Sequence, residues 1–308
     1  MKDAGGLSLT DAAKIATEAH GVNVPVLSEA FAQWVMVKKS EGHTANHTKE
    51  IARRVGEFVN LYATKRPSEI TTGDVDKFLA GLKSLGRAQW TIKTYRRDIV
   101  TFFTWCNISQ EWCKRNPAAH AAKQNTRSEK IHILTPEEAA RLLHSCDEGI
   151  LAAVAVQMFC PTRHAEVKKL DWKAVDLDQK VLMIDSDIAK TKARRVMNIP
   201  ANAVEILKKC KEREGSILPK NYYTLFDEAK IGAGFSPTDK AQHDLSGKKL
   251  SKWPNNVLRH SAISYTLAKN GDIFKTATSA GNSPSIVQEH YLQLVKPSDA
   301  TAYFAITA

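Results

Sequence analysis

The spacing between apolar residues changes once along this chain, and that change limits the folds open to it. From Leu27 to Cys106 apolar side chains return every three or four positions, in four blocks. The first holds Leu27, Phe31, Trp34 and Val35, and the second Ile51, Val55, Phe58, Val59 and Tyr62. Val75, Phe78, Leu79 and Leu82 form the third; Ile92, Tyr95, Ile99, Phe102, Phe103 and Cys106 form the fourth. A helical turn stacks such positions on one face, so each block predicts an amphipathic helix. Between Lys173 and Pro200 the interval shortens. Val175, Leu177, Val181, Met183, Val196 and Ile199 lie in short runs, which predicts an antiparallel sheet of two or three strands. The expected class is mainly α, with a small sheet confined to the second half.

Local signals mark where the elements begin and end. Thr71 and Thr72 are cap candidates for the third helix, and the fourth opens near Thr91. Asn116-Pro117 ends the helical block, and the polar, basic stretch from His120 to Lys130 is expected to be a linker. Thr135, Pro136 and Glu138 form a capping box ahead of a helix with Ala139, Leu142, Leu143 and Cys146 on its apolar face. Ile150 to Phe159 is apolar almost throughout, as expected of a helix buried on all sides. Helix resumes at Ala203, Ile206, Leu207 and Cys210, and the Gly-, Ser- and Lys-rich stretch from Gly232 to Lys252 predicts a mobile loop. The expected division is an extension over 1–25, a helical domain over 26–118, a linker over 119–133 and a mixed domain over 134–308.

Charge narrows the partners. Lys and Arg number 44 against 33 Asp and Glu, a formal net charge of +11. Residues 26–125 carry 16 of the basic residues and 9 of the acidic ones. A field of that sign favours polyanions. No apolar run approaches the roughly 18 residues of a membrane span. Met1 to Gly6 lacks the apolar core of a signal peptide, so a cytoplasmic, nucleoid-associated location is expected. The five cysteines, an odd number without a close CxxC pair, argue against a disulfide framework and a zinc site. Cys146 and Cys210 fall on apolar faces and are expected to be buried thiols.

The chemistry-bearing residues follow a particular order. Arg163 sits just past a sharp bend with Glu166 three residues later, and Lys190 lies near the predicted hairpin. Leu258-Arg259-His260-Ser261 opens a helix, Gly281-Asn282-Ser283-Pro284 makes a turn, and Tyr291 follows Arg259 by 32 positions. Two arginines, a lysine and a C-terminal tyrosine are what metal-free attack on a DNA phosphate requires.

With this order the chain resembles the tyrosine recombinases of the phage-integrase type, from about residue 27 to the end, in a bacterial integrase-like branch. The resemblance implies an N-terminal helical (SAM-like) core-binding domain that grips double-stranded DNA, and a C-terminal catalytic domain. It also implies site-specific cleavage and rejoining of DNA, with a homo-tetramer acting on two duplexes. Arg163 and Arg259 would clamp the non-bridging oxygens of the scissile phosphate, because a guanidinium fork donates two parallel hydrogen bonds and stays charged. Tyr291 would be the nucleophile, forming a 3′-phosphotyrosyl link, so no metal or nucleotide cofactor is needed. Lys190 would protonate the departing 5′ oxygen, with Lys192 as its competitor.

Two positions depart from the family pattern. Asn256 stands where histidine is common, three residues before the second arginine. Asn282 stands where histidine or tryptophan is common, nine before the tyrosine. An amide can hydrogen-bond phosphate but cannot exchange a proton near neutral pH. His260 and His290 are nearby imidazoles. A DNA-binding relative with weak or lost activity is therefore one alternative, and a relaxing topoisomerase of related chemistry another.

Taken singly, each residue also has an ordinary structural explanation. Arg163 with Glu166 is a salt bridge at a helix start, Tyr291 a half-buried aromatic, His260 a packing or capping residue. Lys190, Lys192, Arg194 and Arg195 would be a solvated loop cluster. For DNA contacts the candidates are Lys49, Arg53 and Arg54 on the second helix and Lys93, Arg96 and Arg97 on the fourth, all mostly off the apolar stripes. The apolar tail from Ser298 to Ile306 is expected to dock on a neighbouring subunit.

Overall fold

The computed structural model describes residues 24–123, 130–189, 192–210, 214–238 and 242–308. The chain divides into two compact units, Met1–Ser128 and Glu129–Ala308.

In the first unit four helices form where the apolar period predicts them: α1 (Leu27–Ser40), α2 (Ala45–Val59), α3 (Thr72–Ser84) and α4 (Gln89–Thr104). Thr44 caps α2 through the amide of His47, and Thr71 and Asp74 form a reciprocal capping box on α3. The apolar stripes meet in one aromatic core. Trp34 meets Phe102 edge-on at 5.4 Å, and Phe58 meets Phe78 in the same way, also at 5.4 Å. Gly56 lets Phe31 close on α2, since a Cβ there would lie 3.3 Å from its ring. Asp98 is buried in this unit and compensated by Arg54 at 2.6 Å and Arg97 at 2.9 Å. Asn116 binds the carbonyl of Val100 and the hydroxyl of Thr104, so the chain leaving α4 is fastened back along it.

The second unit is built around α6 (Glu148–Phe159), whose residues 152–159 are all buried. Against it pack α5 (Pro136–His144), opened by the Thr135–Glu138 capping box, the short α7 (His164–Val167) and α8 (Ala201–Lys209). Between α7 and α8 runs an antiparallel sheet in the order β1 (Val175–Asp176), β2 (Val181–Ile184), β3 (Arg195–Asn198). Arg195 and Met197 are buried and Val196 and Asn198 exposed, the alternation expected of a one-faced strand. The remaining elements are α9 (Tyr222–Gly232), β4 (Phe235–Ser236), β5 (Ser251–Lys252), α10 (Val257–Asn270), α11 (Ile273–Ala280), α12 (Pro284–Tyr291) and α13 (Pro297–Tyr303).

Four expectations differ from what is observed. The Gly232–Lys252 stretch is tied at its base, because β4 and β5 pair in parallel and Leu250 is buried. Arg195 is a buried strand residue, not part of a solvated cluster, because Glu166 neutralises it. Cys146 and Cys210 are half-buried, while Cys106, Cys113 and Cys160 are fully buried. The C-terminal tail packs on its own chain: Tyr303 stacks on Tyr265 at 3.8 Å and donates to the carbonyl of Met158, and the carbonyl of Ile306 accepts from Asn202. Tyr303 and Ile306 are buried there because this apolar cleft lies within reach of the chain's own end. Among the described residues no helix is long and apolar enough to cross a membrane.

Candidate active site

Pro161 and Thr162 break the chain after α6, leaving Arg163 extended as the N-cap of α7. Glu166, at the third position of that helix, reaches back to accept from the Arg163 amide at 2.8 Å and from its Nη1 at 2.9 Å. The same carboxylate holds Arg195 through both of its oxygens, at 3.1 and 2.6 Å. Burial alone would push the Glu166 carboxyl up, but hydrogen bonds and charge from Arg195 and Arg163 outweigh it and hold it below its ordinary range.

The second arginine comes from the first turn of α10. Arg259 donates to the carbonyl of Pro161 at 2.5 Å and to that of Ala280 at 2.7 Å. Burial, reinforced by the charge of Arg163, lowers its pKa to about 10.

Three arginines thus meet at the C-terminal end of α11. Arg195 Nε binds the Ser279 carbonyl at 2.9 Å, Arg259 that of Ala280, and Arg163 that of Gly281 at 2.6 Å. Those carbonyls are the unsatisfied, partly negative end of the helix, a natural seat for cations. Gly281 makes the seat possible. Its φ is +61°, and a Cβ there would stand 3.2 Å from Arg163 Nη1 and 3.3 Å from Arg195 Nη1.

The side chain of Asn282 lies between two of these arginines. Its Oδ1 accepts from Nη2 of Arg163 at 3.2 Å and from Nη2 of Arg259 at 3.1 Å. Both partners are donors only, which fixes the amide orientation. One oxygen therefore sits within reach of both guanidinium groups. Three cations surround one carboxylate, so the site carries an excess positive charge suited to an anion.

Tyr291 ends α12, which Ser283 caps and Pro284 opens. The phenol is 5% exposed, and its hydroxyl lies 2.9 Å from Nδ1 of His260. Burial raises its pKa, partly offset by the charges of Arg259 and Arg163. Asn256 precedes α10 in a left-handed conformation, φ +55°, and is exposed. It lines a cleft of about 280 Å³ together with Arg259, Thr162, His164, Tyr223 and Trp253.

Arg163, Asn256, Arg259, Asn282 and Tyr291 therefore all belong to one region of the second unit. Lys190 lies outside the described residues. Its competitor Lys192 is exposed on the β2–β3 connection, with φ +54°. In the first unit Lys49, Lys93, Arg53 and Arg97 are exposed. Arg53 bonds Glu50, Glu57 and Tyr95, and Arg96 spends its guanidinium on the carbonyls of Ala119 and Ala121. Arg195 was missed as a site residue. Its only signal in the sequence was its place at the start of a strand whose alternate positions are apolar. Among the described residues no group of three or more His, Cys, Asp or Glu is disposed to hold a metal ion.

No protein-family profile matches the chain. Over 100 residues, 32% of its length, it is 25% identical to the integrase of Salmonella phage P22, and the match spans 26% of that protein. Its structure is similar to that of a lambda integrase dimer bound to a COC′ core site (TM-score 0.70, 14% identity, 90% of this chain and 80% of that one). It is also similar to a lambda integrase tetramer bound to a Holliday junction (TM-score 0.68, 15% identity, 96% and 85%). A third similar structure is the Tn1549 transposon integrase in complex with a circular intermediate DNA (TM-score 0.65, 14% identity, 91% and 99%). The mainly helical architecture, the small antiparallel sheet and these likenesses agree: the chain has the tyrosine-recombinase fold of the phage integrases.

Proposed function

We propose that this protein is a site-specific DNA recombinase that breaks and rejoins strands through a 3′-phosphotyrosyl intermediate. The observation that carries the reading is the pair of guanidinium groups converging on a single oxygen acceptor, in the same small region as a buried tyrosine at the end of α12. Arg163 and Arg259 would hold the two non-bridging oxygens of the scissile phosphate, displacing the amide oxygen of Asn282. Charge grows on those oxygens in the transition state, so fixed cations stabilise it more than the ground state. Tyr291 would attack phosphorus, and Lys190 or Lys192 would protonate the leaving 5′ oxygen. Arg195 and Glu166 would position Arg163. Asn256, at the cleft beside Arg259, would bind phosphate without exchanging a proton.

The reading assigns the helical unit (26–118) to DNA binding, 119–133 to a linker and 134–308 to catalysis. Lys49, Lys93 and Arg97 are its exposed phosphate contacts; Arg97 also pairs with Asp98, and Arg53 and Arg96 are engaged within the protein. Duplex DNA is the partner, and four copies would act on two duplexes, as in the lambda integrase tetramer bound to a Holliday junction.

The test is a nicked duplex bearing a site selected from a randomised pool for affinity to Tyr291→Phe. Cleavage near the nick should trap a covalent protein–DNA adduct, absent in Tyr291→Phe. Asn256 and Asn282 favour a second reading, a DNA-binding relative without catalysis. Tight binding by the wild type with no adduct would select it.

A further inference from the structure

We propose that His260 is a catalytic residue, the base that takes the phenolic proton of Tyr291 as its oxygen attacks phosphorus, in a chain whose position 256 cannot do so. This deepens the strand-transfer reading above and rests on it. The geometry is direct: Nδ1 of His260 lies 2.9 Å from the Tyr291 hydroxyl, and the two rings sit 5.7 Å apart, tilted by 35°. Asn256 cannot serve as a base, since an amide has no accessible protonation equilibrium near neutral pH. Its backbone carbonyl instead accepts the His260 amide at 2.9 Å and fixes the first turn of α10, from which the imidazole projects.

The electrostatics suit a proton acceptor. Burial, with the charges of Arg259 and His290, lowers the His260 pKa, so the ring is neutral near pH 7 and Nδ1 can offer a lone pair. Burial raises the phenol's pKa, so Tyr291 does not ionise unaided. The groups facing the pair are Arg259 on the same helix, His290 on α12, and Arg163, which acts on the phenol. A phosphodiester bound between Arg163 and Arg259 would offset their charge and make His260 a stronger base at the moment of attack. In the step, the bond from Tyr291 oxygen to phosphorus forms and the bond from phosphorus to the 5′ oxygen breaks. The phenolic proton moves to Nδ1, and the 5′ oxygen takes a proton from a lysine ammonium or water. Rejoining runs the same transfers in reverse.

The test is single-turnover adduct formation on the selected nicked duplex, measured against pH for wild type, His260→Ala and His260→Gln. Wild type should slow as pH falls and His260 becomes protonated. Both variants should lose about 10²–10³-fold at neutral pH and show no such break. Added imidazole should restore His260→Ala in proportion to its free-base fraction, an effect a purely packing role would not produce. If His260→Ala does not fold, His260→Gln carries the test, because it can hydrogen-bond the phenol without taking its proton. A variant within about threefold of wild type overturns the proposal, as does a slow variant that keeps the pH break. So does a folded His260→Ala that imidazole leaves unchanged. Wild type that binds the duplex but forms no adduct overturns the strand-transfer reading and this inference together, so the two failures are distinguishable.

Discussion

Arg195 grips Glu166 with both terminal nitrogens of its guanidinium, at 3.1 and 2.6 Å, and so binds strand β3 to the start of α7. Both side chains are almost fully buried, 5% and 1% exposed. Removing one partner leaves the other charged, buried and short of a counter-charge, which costs more than the pair contributes. Arg195→Ala should therefore destabilise the second unit by about 3–5 kcal/mol in denaturant unfolding. Arg195→Met, similar in bulk, should show a comparable loss, because the buried carboxylate keeps only Arg163 as a counter-charge.

The same carboxylate makes stability depend on acid. Because the folded pKa of Glu166 is depressed, its contribution is fully present above the unfolded value, about 4.3, and is lost as pH falls through the folded one. The stability gap between wild type and Glu166→Gln should be constant above about pH 5.5 and narrow below about pH 4. Urea midpoints taken across that range check it; a gap that widens in acid contradicts the assignment.

Gly281→Ala combines two penalties. The residue is left-handed, and the added methyl would press on two guanidinium groups. Left-handed backbone costs an L-residue roughly 1–2 kcal/mol. A loss of at least that size is expected in thermal unfolding, together with reduced adduct formation as Arg163 shifts. Normal cleavage with lowered stability would show that the arginines tolerate the displacement.

Asn282→Asp would place a carboxylate between Arg163 and Arg259, where the amide oxygen now sits. The variant should be at least as stable as wild type yet form adduct at least tenfold more slowly, because its own anion competes with phosphate. Asn282→Ala should be milder. Raising the DNA concentration should not restore the rate of Asn282→Asp once binding is saturated.

Binding through the helical unit should depend steeply on salt. Lys93→Ala and Lys49→Ala should weaken DNA binding similarly across sequences and each reduce the log–log salt slope by about one. Arg96→Ala should instead destabilise the first unit, since that guanidinium is spent on the carbonyls of Ala119 and Ala121. Fluorescence anisotropy at several salt concentrations separates the two behaviours.

Much of this was legible in the sequence. The apolar periods located the helices, and the capping boxes at Thr71 and Thr135 gave two of their starts. The order of Arg163, Arg259, Asn282 and Tyr291 pointed to residues that the fold brings into one region. What stayed hidden depends on contacts between distant positions. Arg195 among Lys192 and Arg194 has the look of a solvated loop, and its burial is made tolerable by Glu166 and the Ser279 carbonyl, 29 and 84 residues away. The seat for the arginines is made of backbone carbonyls, which carry no sequence signal. The tail is expected to dock on a neighbour because its apolar residues are visible in the sequence, while the cleft holding Tyr303 and Ile306 is not.

The C-terminal end of α11 has a further effect. Ser279, Ala280 and Gly281 each hold a guanidinium by a carbonyl, so three like charges crowd together on three consecutive residues at the end of the helix. They repel one another, and Glu166 cancels only part of that repulsion. A phosphate bound there would relieve it, so anion occupancy and folding stability would be thermodynamically linked.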